Sequence, residues 1–312
     1  MKHNINYKRF MAALLLIGTS ALSWAQDFQV DGLYYEKNED GKSVSVTCKY
    51  EEGWDGGLDF VSNTYKGKNE ITIPSTVTHN GTTYNVTGII GAFYDCEDLT
   101  SVTIPNSVTK IDQSAFLGCT DLESITIPNS VTVIGDYAFN ECSSLESITI
   151  PNSVTEIGER AFWECSSLTS VTIGDGVTKI GKGAFWECSS LASVTIGNSV
   201  TRIGESAFLS CKNLKSVTIP NSVTRIDKWA FAGCYSLTSV TIGNGITRIG
   251  EEAFGECKSL MSVTCLAEKV PNTHISAFDD TPFGTLYVPA ASVNAYKAAK
   301  PWSDFERILP KR

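Results

Sequence analysis

Leu99-Thr-Ser-Val-Thr-Ile-Pro-Asn-Ser-Val-Thr-Lys-Ile-Asp-Gln-Ser-Ala-Phe-Leu-Gly-Cys-Thr-Asp121 is a 23-residue stretch that starts again at Leu122. The same leucine returns at Leu145, Leu168, Leu191, Leu214, Leu237 and Leu260. A cysteine keeps the same beat at Cys96, Cys119, Cys142, Cys165, Cys188, Cys211, Cys234 and Cys257. A fixed period of this size marks a stacked solenoid, in which one unit buries its apolar side only against the next.

Within the unit, Leu99-x-x-Val102-x-Ile104 ends in alternating apolar positions and reads as a short strand. Pro105-Asn106-Ser107 stops the strand and turns the chain, and Gly174, Gly197 and Gly243 replace the proline in three copies. Val108 and Ile111 form the next inward pair. Ala115-Phe116-x-x-Cys119 has the spacing of one helical turn. Each coil thus directs a Leu, two Val, two Ile, an Ala, a Phe and a Cys inward. The expected fold is a right-handed stack of 23-residue coils with one parallel β-sheet and short helical turns on the other side.

Outward from the repeats, the ends are expected to close the stack. Residues 1–25 read as an export signal, with Lys2, Lys8 and Arg9, an apolar run from Met11 to Leu22, and Ser23-Trp24-Ala25 as cleavage site. Residues 26–98 read as a β-rich cap holding a hairpin at Asn80-Gly81 and a first irregular repeat. Residues 99–264 hold the regular copies and residues 265–312 a mixed closing cap. In that cap Ser292 to Ala299 read as a short serine-capped helix, and Trp302, Phe305 and Ile308 as a lid.

Composition excludes some functions. Loss of the three basic residues of the signal leaves 22 Lys and Arg against 34 Asp and Glu, a balance of −12. An acidic surface disfavours nucleic acid and anionic membranes as partners. No later stretch is apolar enough to cross a bilayer. The ten cysteines contain no Cys-x-x-Cys pair, so they are read as small buried hydrophobes rather than a metal site or a disulfide chain. His3, His79 and His274 are too far apart to build a nucleophile–base pair. No catalytic residue, metal or cofactor is expected.

Two columns stand out as candidate contacts. Trp163 and Trp186 follow the core Phe in adjacent coils and should point outward, with Glu164 and Glu187 beside them. Tyr137 and Trp229 lie on the same side, two residues before their Phe. The bland alternative is that each ring lies flat on its neighbour and shields the core. Lys179, Arg202, Arg225 and Arg248 occupy one register in four successive coils. Such a row would attract an anion unless Glu205, Asp227 or Glu251 neutralises it internally.

The repeated Leu-x-Ser-Val-Thr-Ile-Pro-Asn-Ser-Val-Thr-x-Ile-Gly-x-x-Ala-Phe-x-x-Cys resembles the BspA-like leucine-rich repeats, as do Leu286-Tyr-Val-Pro289 and Ala295-Tyr296-Lys297 in the tail. That resemblance implies a leucine-rich-repeat solenoid and an exported, non-catalytic protein at the outer surface of a Gram-negative bacterium, outside the cell or in the periplasm. The expected function is adhesion to host or bacterial surface proteins. A carbohydrate-binding accessory role is the alternative, and a catalytic role ranks last. Partners are protein or glycan ligands, and the chain is expected to act as a monomer.

Overall fold

A computed structural model describes residues 27–52, 58–61 and 63–311, so the export signal at residues 1–25 lies outside the described residues. The 23-residue beat becomes a β-solenoid in which all but two of the expected inward positions of the regular coils are buried. In one coil Leu168, Val177, Ile180, Ala184, Phe185 and Cys188 have 0 % exposure, and Val171 and Ile173 have 2 %. Two strand positions, Ile125 and Val194, are only partly buried.

Two strand ladders run along the stack where a single sheet was expected. The first is built from the Ser-Val-Thr-Ile segments, such as Ser147–Ile150 and Ser170–Ile173, which pair in parallel one coil apart. It starts at Glu70–Thr72, continues through Arg307–Pro310, and is interrupted after Ser124–Ile125 and after Ser193–Thr195. The second ladder is made of two-residue strands, Lys110–Ile111 through Asn272–Thr273, and joins the leading strands in one sheet of 13 strands. Two residues are too few for an alternation to show in sequence. Their strand character comes from pairing with the neighbouring coils, as in Lys179↔Arg202 and Ile180↔Ile203. Exposed threonines reinforce this edge: the Thr155 hydroxyl donates to the Thr132 carbonyl at 3.3 Å and the Thr178 hydroxyl to the Thr155 carbonyl at 3.1 Å.

The side opposite the first ladder is a chain of turns rather than a helical turn. Trp163 N–H donates back to Arg160 O at 3.2 Å and Cys165 N–H to Phe162 O at 3.3 Å. Between them, Arg160, Phe162 and Glu164 donate forward to Lys182, Ala184 and Trp186 of the next coil at 2.8–2.9 Å. The alternation needs two left-handed residues per coil, here Arg160 at φ 51° and Glu164 at φ 58°. A helix would use those N–H groups internally; the stack uses them to bind coil to coil.

Inside this edge, nine phenylalanines from Phe93 to Phe278 stack with centroids 5.0–5.4 Å apart. Beside them the thiols form a ladder of donors. The Cys165 Sγ–H donates to Phe139 O at 3.1 Å, and the same bond recurs from Cys119 to Cys257 at 3.0–3.3 Å. All ten cysteines are free and buried. Burial pushes their thiols up, that of Cys257 to about 12.

Both ends are closed. Asn80 and Gly81 adopt φ 48° and 77° between Thr76–His79 and Thr82–Ile89, the expected hairpin turn. A second hairpin turns at Asp31-Gly32 and splits Phe28–Val30 from Leu33–Lys37, a stretch whose alternation reads as one strand in sequence. The Phe28 ring stacks on His79 at 4.3 Å. At the other end Trp302, Phe305 and Ile308 are buried, and Trp302 and Phe305 meet Phe278 edge-on at 5.3 Å. The terminal helix spans Val293–Lys297, and Ser292 does not cap it. Its hydroxyl donates instead to Glu268 O at 2.6 Å, tying the helix to the last coil.

Candidate functional site

The turn edge carries the side-chain diversity of the protein, because each coil has two variable places flanking its core Phe, and Tyr137, expected outward, is buried there. One place holds Leu117, Asn140, Trp163, Trp186 and Leu209 in succession, and the other Ser114, Tyr137, Arg160, Gly183, Ser206 and Trp229. Trp163 and Trp186 stack on one another at 5.1 Å and 14°, both partly buried. The Arg160 guanidinium lies over both rings and over Tyr137, at 5.3, 5.9 and 5.7 Å from the three centroids. Its Nη1 donates to the Tyr137 hydroxyl at 2.6 Å and approaches Glu159 at 3.5 Å. Gly183 makes this possible, since a Cβ there would stand 3.2 Å from Arg160 Cγ.

Arg160 escaped the sequence reading. Its place is one coil on from Tyr137 and one before Gly183, so the same register holds a ring, a guanidinium and no side chain. The cluster that results combines two Trp, a Tyr and an Arg, the residue types that dominate interface energetics. Packing against each other and against Arg160 leaves Tyr137 buried and both tryptophans partly exposed.

Glu164 and Glu187 each follow their tryptophan along the chain. With Glu141 they form a separate acidic rank along a groove of about 340 Å³ that Ser143, Ser166, Ser189 and Lys212 also line. Burial, then the charges of Glu141 and Glu187, pushes the Glu164 carboxyl up. Trp229 lies two coils beyond Trp186, with the Lys228 ammonium 4.4 Å over its ring.

The cationic column is largely relieved from within. Lys179 pairs with Glu156 at 2.7 Å, a partner one coil earlier that sequence reasoning passed over. Arg202 pairs with Asp227 at 2.6 Å, and Arg225 pairs with the other oxygen of the same carboxylate. Glu205 serves Lys182 at 3.3 Å and Lys228 at 3.6 Å. Arg248 is exposed and has no ion pair among the described residues. A cleft of about 290 Å³ opens there, lined by Arg225, Asp227, Lys228, Arg248, Asn272 and His274 among others.

Among the described residues no group of three or more His, Cys, Asp or Glu could hold a metal ion. No helix among them is long and apolar enough to cross a membrane.

A stack of short parallel strands closed by phenylalanine and thiol columns, with a leucine opening each coil, is a leucine-rich-repeat solenoid. The BspA type leucine rich repeat region matches residues 90–208 and 178–299, and the chain belongs to that family. The chain is similar to a leucine-rich repeat protein from Bacteroides ovatus ATCC 8483, with 26 % identity and a TM-score of 0.67. That match covers 91 % of this chain and 76 % of the other. A leucine rich cell surface protein from Faecalibacterium prausnitzii A2-165 shares the fold, with 23 % identity, a TM-score of 0.56, and coverage of 91 % and 94 %. Among curated proteins, none matches. The family points to a repeat-based binding role, and no catalytic family is indicated.

Proposed function

We propose that this protein is an exported adhesion or binding protein of a bacterial surface that recognises other proteins through its turn edge. The observation that carries the reading is the Tyr137–Arg160–Trp163–Trp186 cluster. A sugar docks by laying its apolar face on an open ring, whereas here the two indoles stack at 5.1 Å and a guanidinium lies over both. Two partly exposed indoles with one Arg packed over them suit a protein surface better than a glycan.

The repeat itself supplies the test. Leu117 and Leu209 occupy the Trp163 register in other coils, so the double variant Trp163→Leu, Trp186→Leu retains a side chain the fold accepts. Against a panel of host matrix and bacterial surface proteins, with a glycan array in parallel, the wild type should bind members of the protein panel. The double variant should weaken that binding at least about tenfold, the loss expected when central aromatic contacts are truncated. Unchanged affinity in the variant, or binding confined to the glycan array, refutes the proposal.

A further inference from the structure

We propose that the cleft beside Arg248 is a carboxylate-binding site that takes an acidic side chain from a peptide segment of a partner. The inference concerns a surface separate from the aromatic cluster and does not depend on it.

The argument comes from comparing two successive coils. In one, Arg225 sits on the second strand ladder and Asp227 two residues later on the same face. The Asp227 carboxylate is held by Arg225 of its own coil and Arg202 of the coil before, and its side chain is only 6 % exposed. The next coil repeats the arginine as Arg248, paired in register with Arg225. Where Asp227 stood, this coil has Gly250. The protein therefore builds an arginine clasp for a carboxylate once, then repeats the arginine without the acid.

A Cβ on Gly250 would stand 2.5 Å from Lys228 N and 2.7 Å from the Asp227 carbonyl carbon, so an acid in this coil would need the backbone beside it to shift. On the far side the final rung supplies polar side chains and no carboxylate at these two places. Asn272 pairs in register with Arg248, and His274 lies two residues on, on the same face. The His274 Nδ1 accepts the Ser276 backbone N–H at 3.3 Å and lies 2.8 Å from the Ser276 hydroxyl. Arg248, Asn272 and His274 thus line the cleft of about 290 Å³ beside Gly250.

Charge selects the ligand. The lining carries Arg202, Arg225, Lys228 and Arg248 against Glu205, Asp227 and Glu251, a net of one positive charge in a chain whose balance is −9. One positive charge and a planar fork match a single carboxylate, which accepts two parallel N–H bonds from a guanidinium. A phosphate dianion would bring excess negative charge beside Glu205 and Glu251.

The test uses a fluorescein-labelled tetraglutamate peptide, followed by fluorescence anisotropy with the full mature chain at low ionic strength. Against an acidic protein, retention of a polyanion requires a local basic site. The wild type should bind the peptide, acetate should compete, and labelled tetraglutamine should not bind. Arg248→Gln should weaken binding at least about tenfold, and Arg248→Lys, which keeps the charge but loses the fork, should fall in between. Lys179→Gln, whose lysine is paired with Glu156, should bind as the wild type does. Thermal midpoints of these exposed variants check that each is folded. The proposal is overturned if Arg248→Gln binds equally well, if Lys179→Gln weakens binding as much, or if phosphate displaces the peptide at lower concentration than acetate.

Discussion

Replacing Cys165, at the middle of the thiol column, separates two accounts of why a cysteine recurs in every coil. Its side chain is fully buried, and its Sγ–H donates to Phe139 O at 3.1 Å. Phe139 O also accepts the Cys142 backbone N–H at 3.2 Å, so the carbonyl keeps one partner when the thiol is lost. Cys165→Ala removes one buried heavy atom, a deletion comparable to Ile→Val at about 0.5–1.5 kcal/mol. Loss of the weak thiol bond adds about 0.5 kcal/mol, for a total near 1–2 kcal/mol. Cys165→Ser places a hydroxyl in an apolar column, which costs about 1–3 kcal/mol unbonded. The hydroxyl can keep the donation to Phe139 O, which offsets about 1 kcal/mol. If the donor function matters, the Ser variant should be no less stable than the Ala variant.

Urea unfolding under reducing conditions measures both, with midpoint and slope compared so that loss of cooperativity in a repeat stack is visible. A parallel titration with a thiol reagent should find few reactive groups before unfolding and the full set after it, because only the thiolate reacts and burial keeps these groups protonated. A Ser variant more than about 1 kcal/mol below the Ala variant would show the thiol acting as a hydrophobe alone. Mass-spectrometric detection of a Cys142–Cys165 bridge would refute the reduced column itself.

Asp227→Asn should destabilise the protein by about 1–2 kcal/mol, less than for a fully buried pair because both arginines rehydrate easily; thermal unfolding checks this, and no change would mean the clasp contributes nothing. Glu36 has a buried Oε2 without a hydrogen-bond partner among the described residues, and burial, helped by the Asp27 charge, pushes its carboxyl up to about 7. A group raised in the folded state contributes stability at low pH and loses it as pH rises through the folded value. Glu36→Gln should therefore raise the unfolding midpoint above about pH 7, by up to roughly 1 kcal/mol after solvent screening, with the gain shrinking toward pH 4.5. A gain of equal size at both ends of that range would point to packing instead.

The 23-residue period by itself determined the solenoid and the inward set of each coil, since a core that repeats in space must repeat in sequence. It also exposed the departures from the beat, which is how Trp163, Trp186 and the cationic column were found. What it could not carry was anything that depends on the neighbouring coil. The second strand ladder exists because residues 23 apart hydrogen-bond, and two residues leave no periodic trace. The turn edge reads as a helix because Ala-Phe-x-x-Cys fits one, yet its N–H groups go to the next coil and two residues per coil turn left-handed. Arg160 gains its meaning only when Gly183 lets it lie across two tryptophans, and Arg248 only when Asp227 is seen holding the two arginines before it. Side-chain partners across a rung are set by rotamer and space, and only the stacked structure decides which charge reaches which.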